Sequence, residues 1–271
     1  MNGTLAILGA GRMGEALLAG LLRSGWAEPG QIRCAVRRPE HASRLMADHG
    51  PGIEVSTDAA AAAAGAGVLL IAVKPQSVRA LLSQIAPVVA PASTVVSVVA
   101  GVPCSVIEAQ LHDGVPVVRV MSNVPVEVDE AMSAIAPGRH AGEEHVKLAE
   151  GILAHVGRVL HVAEEHLDAV TALSGSGPAY VFLMAEAMID AGVLLGLPRA
   201  ASTELVIQTM VGSAKMLRDT GRHPVELREA VTSPGGTTVA ALRVLEQEGV
   251  RAAFLNAIEA ARERAAELAG G

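Results

Sequence analysis

Aromatic residues are almost absent from this chain: one tryptophan, one tyrosine and two phenylalanines in 271 residues. So little aromatic surface leaves few platforms for stacking bases. With 28 acidic against 21 basic residues and a net charge of −7, there is also no footprint for a phosphate backbone, and no nucleic-acid partner is expected. Cysteine is nearly as scarce. Cys34 and Cys104 form neither a C-x-x-C motif nor a disulfide framework, so they read as small buried thiols in a reducing, cytoplasmic protein. The nine histidines lack H-E-x-x-H spacing, and no metal is expected. No basic segment precedes the first apolar run, so no signal peptide is expected either. Residues 83–107 carry no charge and are long enough to cross a bilayer. Pro87, Pro91 and Pro103 interrupt them, however, and Thr94, Val95, Val96, Val98 and Val99 favour a strand. The stretch is read as loop, buried strand and loop, with no membrane partner.

What remains is a core of Ala, Val, Leu and Met in a chain that is 51% hydrophobic, organised around residues 4–22, TLAILGAGRMGEALLAGLL. Leu5, Ala6, Ile7 and Leu8 form a short apolar run suited to a strand buried on both faces. Gly9, Gly11 and Gly14 then stand in G-x-G-x-x-G spacing. The first serves a tight turn, the second lets a pyrophosphate approach the backbone, and the third brings helix close to strand. Ala16, Leu17, Leu18, Leu21 and Leu22 continue as a helical face, leaving first-turn N–H groups for an anion. Strand before and helix after give the motif its dinucleotide-binding context.

A second strand at 32–36 ends in Arg37 and Arg38, roughly 20 residues past the turn, where this fold places its ribose selector. A carboxylate there would favour NAD; two guanidinium groups suit the 2′-phosphate of NADPH. They also read as solvated arginines before a helix beginning near Pro39. Further strands are expected at 53–55, 68–73, 95–99, 117–121, 131–136 and 157–162. Thr57 or Asp58 caps an alanine helix at 59–64. The strand ending in Lys74-Pro75, the next ending in Ala100-Gly101 and the next ending in Ser122-Asn123 deliver small or polar groups to one sheet edge. A helix is expected over about 142–155.

Beyond residue 162 strand signals stop and helices begin near Glu164, Pro198, Pro224 and Pro234. The reading is an α/β chain: a Rossmann-type, doubly wound parallel sheet over 1–162, then an all-helical dimerisation and substrate domain over 163–271. The helix at about 178–195 is apolar on nearly all sides, with Val181, Leu183, Met184, Met188, Ile189, Val193 and Leu194. Such a helix must be buried, and a second copy of the chain is the expected cover. Glu186 and Asp190 lie one turn apart on it and could ligate Mg²⁺; residues lining a buried seam are the simpler reading.

The stretch VTSPGGTT at 231–238 brings Ser233, Pro234, Gly235 and Gly236 into a turn before a helix that begins at Thr237 and Thr238. It is either a carboxylate-sized anion site or an ordinary capped helix behind a glycine loop. LSGSGPAY at 173–180 looks like another helix start. With LGAGRMG at 8–14, AVKP at 72–75 and RVMSNVP at 119–125, these stretches make the chain resemble the pyrroline-5-carboxylate reductases from end to end. The resemblance implies NAD(P)H-dependent reduction of 1-pyrroline-5-carboxylate to L-proline in a homodimer or larger homo-oligomer. Each active site would then lie between two interlocked subunits. By motif, Leu8, Gly9, Ala10, Gly11, Arg12, Met13, Ala72, Val73, Lys74, Pro75, Ala100 and Asn123 would meet the cofactor. Ser233, Gly235, Gly236, Thr237 and Thr238 would hold the substrate, with Glu164 a further substrate-side candidate and Thr238 the residue at the reacting nitrogen. Ser122 stands where proline is usual and Asp129-Glu130 where small residues are usual. A β-hydroxyacid dehydrogenase would need a lysine early in the second domain, and none occurs between Lys147 and Lys215.

Overall fold

The computed structural model describes residues 3–50 and 52–269. Eight strands form one sheet: β1 (Leu5–Leu8), β2 (Ile32–Ala35), β3 (Glu54–Ser56), β4 (Val68–Ile71), β5 (Thr94–Ser97), β6 (Val117–Met121), β7 (Ala131–Pro137) and β8 (Gly157–His161). Their spatial order is β3-β2-β1-β4-β5-β6-β7-β8. The chain builds outward from β1 on one side and returns to its other side with β4, so the reversal point for ligand binding lies at the C-terminal ends of β1 and β4. The strands from β3 to β6 pair in parallel.

The sheet is not parallel throughout: β7 runs antiparallel to β6, and β8 then pairs parallel with β7. The link from β6 to β7 is a single 3₁₀ segment, Val124–Val128, too short for a helical crossover, and a short link returns the chain antiparallel. The unusual Asp129 sits in this link with φ +58. Its carboxylate accepts from Arg23 Nη2 at 2.7 Å and Nε at 3.3 Å. Ser122, in place of the usual proline, is buried and hydrogen-bonds Ser133 at 2.9 Å.

Helices cover both faces: α1 (Arg12–Arg23), α2 (Pro39–His49), α3 (Ala59–Ala63), α4 (Val78–Ile85), α5 (Cys104–Glu108) and α6 (Glu143–Leu153). The pleat divides the core in two. Leu5 and Ile7 join Leu17, Leu18, Leu21 and Ile152 on one face, while Ala6 and Leu8 join Ala62, Leu82, Ile85 and Ile107 on the other. Asp58 caps α3 by accepting from the N–H groups of Ala60 and Ala61. Of the stretch read as loop, strand and loop, residues 83–85 are the end of α4, 86–88 a short 3₁₀ segment and 104–107 part of α5, with non-helical chain between them and β5. Val78, Leu81, Leu82 and Ile85 of α4 are buried at helical spacing.

Helical structure continues with α7 (Leu167–Val170), a π-turn over Thr171–Gly175, α8 (Gly177–Leu194), α9 (Arg199–Thr220), α10 (Pro224–Ala230), α11 (Thr237–Gln247) and α12 (Val250–Ala269). Among the described residues, the helical run Glu164–Leu194 is long and apolar enough to cross a membrane by length and composition. LSGSGPAY holds a π-turn, with the Ser176 N–H donating to the Thr171 carbonyl at 2.8 Å, followed by the expected helix start, since α8 begins at Gly177. Two compact units result: the sheet-bearing one runs to Ser176 and includes the C-terminal residues from Ala261, and the other is Gly177–Ala260. Leu167 packs with Ala134 and Ala136 on the sheet, which carries the first unit past residue 163.

Candidate functional site

In the sheet-bearing unit the glycine turn follows β1. Gly9 has φ +98, and a Cβ there would collide with Val73, so the turn requires glycine at this position. A Cβ on Gly14 would collide with the carbonyl oxygen of Gly9; its absence brings α1 down on the turn. Gly11 faces open space, with nothing within 4 Å of a built Cβ. It is also the N-cap of α1 and offers no capping side chain, so the helix's first-turn N–H groups remain for an anionic ligand. Ala72 and Val73 line the same turn, Lys74 is exposed beyond them, and Ala100 is exposed in the turn after β5. Arg37 and Arg38 are exposed after β2, Arg38 being the N-cap of α2. Among the described residues neither guanidinium has an ion-pair partner. Open space, free donors and free cations together fit a dinucleotide phosphate.

Asn123 has a different job. Its Oδ1 accepts from the Met132 N–H at 2.9 Å, and its Nδ2 donates to the carbonyl oxygen and hydroxyl of Ser174 at 3.2 and 3.3 Å. Pro178 lacks the N–H that would otherwise reach the Ser174 carbonyl, and Asn123 supplies the missing donor. The side chain is therefore committed to the π-turn.

Glu164 is likewise engaged. Its Oε1 accepts the Cys104 N–H at 2.7 Å, which caps α5, and a bond from Arg119 Nη1 at 3.2 Å. Arg119 is 6% exposed, and its other arm lies 3.9 Å from Asp168. This buried cation escaped the sequence reading, although an arginine inside the apolar run VVRVM was the available signal. Burial pushes the Cys104 thiol up to about 12, reinforced by the charge of Glu164, and burial alone pushes Cys34 to about 12. Neither is a nucleophile near neutrality.

The second unit holds the other predicted cluster. Thr232 ties the end of α10 by donating from its N–H to the Glu229 carbonyl and from its hydroxyl to Arg228. Ser233, Pro234, Gly235 and Gly236 then close a turn with proline second and Gly235 third at φ +68, where glycine is favoured. The Gly236 N–H donates to the Ser233 carbonyl at 3.0 Å, so it is not available to a substrate, contrary to expectation. Gly236 caps α11 without a side-chain bond. The N–H groups of Thr237 and Thr238 therefore sit in an open first turn, beside hydroxyls that have no protein partner among the described residues. Asp190, considered as a Mg²⁺ ligand, is paired with Arg199 at 2.9 Å.

A doubly wound sheet with this glycine turn at its reversal point and an exposed cationic pair after β2 define the class of dinucleotide-binding proteins. Residues 164–268 match the family model for pyrroline-5-carboxylate reductase dimerisation, and residues 4–101 match that for NADP oxidoreductase, coenzyme F420-dependent. The chain is 43% identical to a pyrroline-5-carboxylate reductase of Methanosarcina acetivorans, with 98% of each covered. Its structure superposes on the pyrroline-5-carboxylate reductase of Coxiella burnetii with TM-score 0.91 at 32% identity, covering 99% of each chain. With the NADP-bound pyrroline carboxylate reductase of Plasmodium falciparum the TM-score is 0.89 at 28% identity, covering 99% of this chain and 98% of that one. The chain belongs to the pyrroline-5-carboxylate reductase family. Its reaction is the reduction of the C=N bond of 1-pyrroline-5-carboxylate to give L-proline, the last step of proline biosynthesis, with an NADP-type cofactor.

Proposed function

We propose that NADPH is preferred over NADH, and that the substrate's carboxylate is held on the open first turn of α11. The observation that carries the second point is the cluster of free donors there: the N–H groups of Gly235, Thr237 and Thr238 with the hydroxyls of Ser233, Thr237 and Thr238, all behind a turn that consumes only the Gly236 N–H. Fixed donors at a helix start suit a small anion. A bound reduced nicotinamide supplies the hydride to the imine carbon. The chain's own contribution is orientation and exclusion of water. No Asp, Glu, Lys or His stands in the 231–238 loop to protonate the nitrogen. The substrate binds as the iminium, or is protonated through water, and its ring N–H donates to Thr238 Oγ1. Glu164 remains a substrate-side candidate through Oε2, since Oε1 is occupied.

For the cofactor, the support is the free Arg37–Arg38 pair and the turn at Leu8, Gly9, Ala10, Gly11, Arg12 and Met13, with Ala72, Val73, Lys74, Pro75 and Ala100 beside it. A charge-assisted contact to a 2′-phosphate contributes about 1.5–3 kcal/mol, roughly one to two decades in affinity. Mixing purified protein with pyrroline-5-carboxylate and either cofactor, and following cofactor oxidation with proline formation, tests the whole reading. NADPH should exceed NADH in kcat/KM in the parent, and Arg37→Ser should narrow the gap. Equal values in the parent reject the selectivity, and cofactor binding without turnover would leave an NADPH sensor instead.

The functional unit is at least a homodimer in the cytoplasm. The unpartnered apolar surface of α8, with Phe182 63%, Leu183 67% and Leu194 87% exposed, supports assembly through the region that matches the dimerisation model. The free cysteines support a reducing compartment.

A further inference from the structure

One charged cluster lies outside everything above, on the back of the dinucleotide turn. Glu15 stands in the first turn of α1, immediately after Gly14. A carboxylate so close to the helix start opposes any phosphate bound there, because like charges in a partly desolvated site repel appreciably even at an effective dielectric of about 20. Bases from α2 surround it. Arg44 Nη2 lies 2.7 Å from Glu15 Oε2, His41 Nε2 lies 3.8 Å from the same oxygen, and His49 Nε2 lies 4.0 Å from Oε1. Arg44 Nη2 is also 3.0 Å from His41 Nε2. The buried His49 Nε2 has no hydrogen-bond partner. Arg44, always charged and in contact with the carboxylate, is the group that neutralises Glu15.

We propose that Arg44 is a positioning residue that masks the Glu15 carboxylate electrostatically, keeping the start of α1 receptive to the phosphates that both dinucleotides share. The inference rests on the reading of the glycine turn as the cofactor site, but not on the roles of Arg37 and Arg38. A purely mechanical clasp between α1 and α2 makes the opposite prediction for the double variant. Removing both partners discards the clasp as surely as removing one, but it also removes the unmasked charge.

The test is equilibrium binding of NADPH and of NADH, by quenching of the reduced nicotinamide's fluorescence or by calorimetry, to the parent, Arg44→Ala, Glu15→Gln and the double variant, with the Tm of each without cofactor. Arg44→Ala should weaken both dinucleotides alike, by about 3- to 10-fold, and less so at high salt. Glu15→Gln/Arg44→Ala should bind within about 2-fold of the parent although its Tm is no higher than that of Arg44→Ala. A double variant as weak as Arg44→Ala would replace masking with a mechanical role. Unchanged affinity in Arg44→Ala, or loss confined to NADPH, would also overturn the proposal. No binding of either dinucleotide by the parent would sink the glycine-turn reading itself, whereas equal parent affinities for the two would reject only the selectivity assigned to Arg37 and Arg38.

Discussion

The two compact units differ most in what they bury. In the sheet-bearing unit Leu5, Ile7, Leu69, Leu70 and Ile71 are inaccessible to solvent and sandwiched between helices. In Gly177–Ala260 only Ser202 and Val206 are buried. Its one broad internal contact, α8 against α9, is built on small residues: Ser202 donates to the Ile189 carbonyl at 2.8 Å, and a side chain on Gly192 would collide with it. Burying a large apolar side chain is worth about 1.5–3 kcal/mol. The first unit therefore has a core of its own, while the second must obtain most of its stabilisation by association. The proposed cofactor site is built on the self-sufficient unit and the proposed substrate loop on the dependent one, so the two should fail in different ways.

The largest expected effect breaks the first unit's site alone. Gly14→Val drives a branched side chain into the Gly9 carbonyl and Ala72, and NADPH affinity should fall by more than about 100-fold, since overpacking against backbone costs on the order of 3 kcal/mol or more. Sedimentation should still show the parent's assembly. Next, Leu183→Glu places a charge on the exposed face of α8 and should convert the protein to smaller or aggregated species at micromolar concentration. Its sheet-bearing unit should still bind NADPH where soluble; an intact, active assembly would contradict the dependence claimed for the second unit.

Gly235→Ala tests the substrate loop more gently. The residue has φ +68 with open space around it, so the change adds only left-handed backbone strain of about 1–2 kcal/mol, read as roughly a 5- to 30-fold rise in KM for pyrroline-5-carboxylate with NADPH KM unmoved. Smallest of all is Asp129. Asp129→Ala loses a half-exposed pair with Arg23 while keeping the strain, and urea unfolding should show a loss of up to about 1 kcal/mol. Asp129→Gly relieves the strain as it loses the pair, and should lie closer to the parent.

Local patterns were legible; long-range ones were not. The central strands β1, β4, β5 and β6 lie where short apolar runs place them, because a sheet covered on both faces demands such runs. The glycine spacing, the Asp58 cap and the turn at Ser233 are likewise dictated by neighbouring residues. The start of α5 at Cys104 was missed inside the uncharged stretch, because a five-residue helix is too short to show a period. The separate start of α12 was lost by overlooking Gly249, whose φ of +68 divides it from α11. Other features depend on partners far away in the chain. The π-turn is held by Asn123, Glu164 is occupied by Arg119 and Cys104, and Arg44 reaches Glu15 across 29 positions. No local period announces such pairs.

The most direct test of the division of labour is Thr238→Ala, with pyrroline-5-carboxylate turnover and NADPH binding measured on the same preparation. Loss of one or two good hydrogen bonds at the ring nitrogen should lower kcat/KM by about 10- to 100-fold, with the Kd for NADPH within about 2-fold of the parent. Parent-like turnover would remove Thr238 from the reaction, and a matching loss of NADPH affinity would contradict the separation of substrate loop from cofactor site.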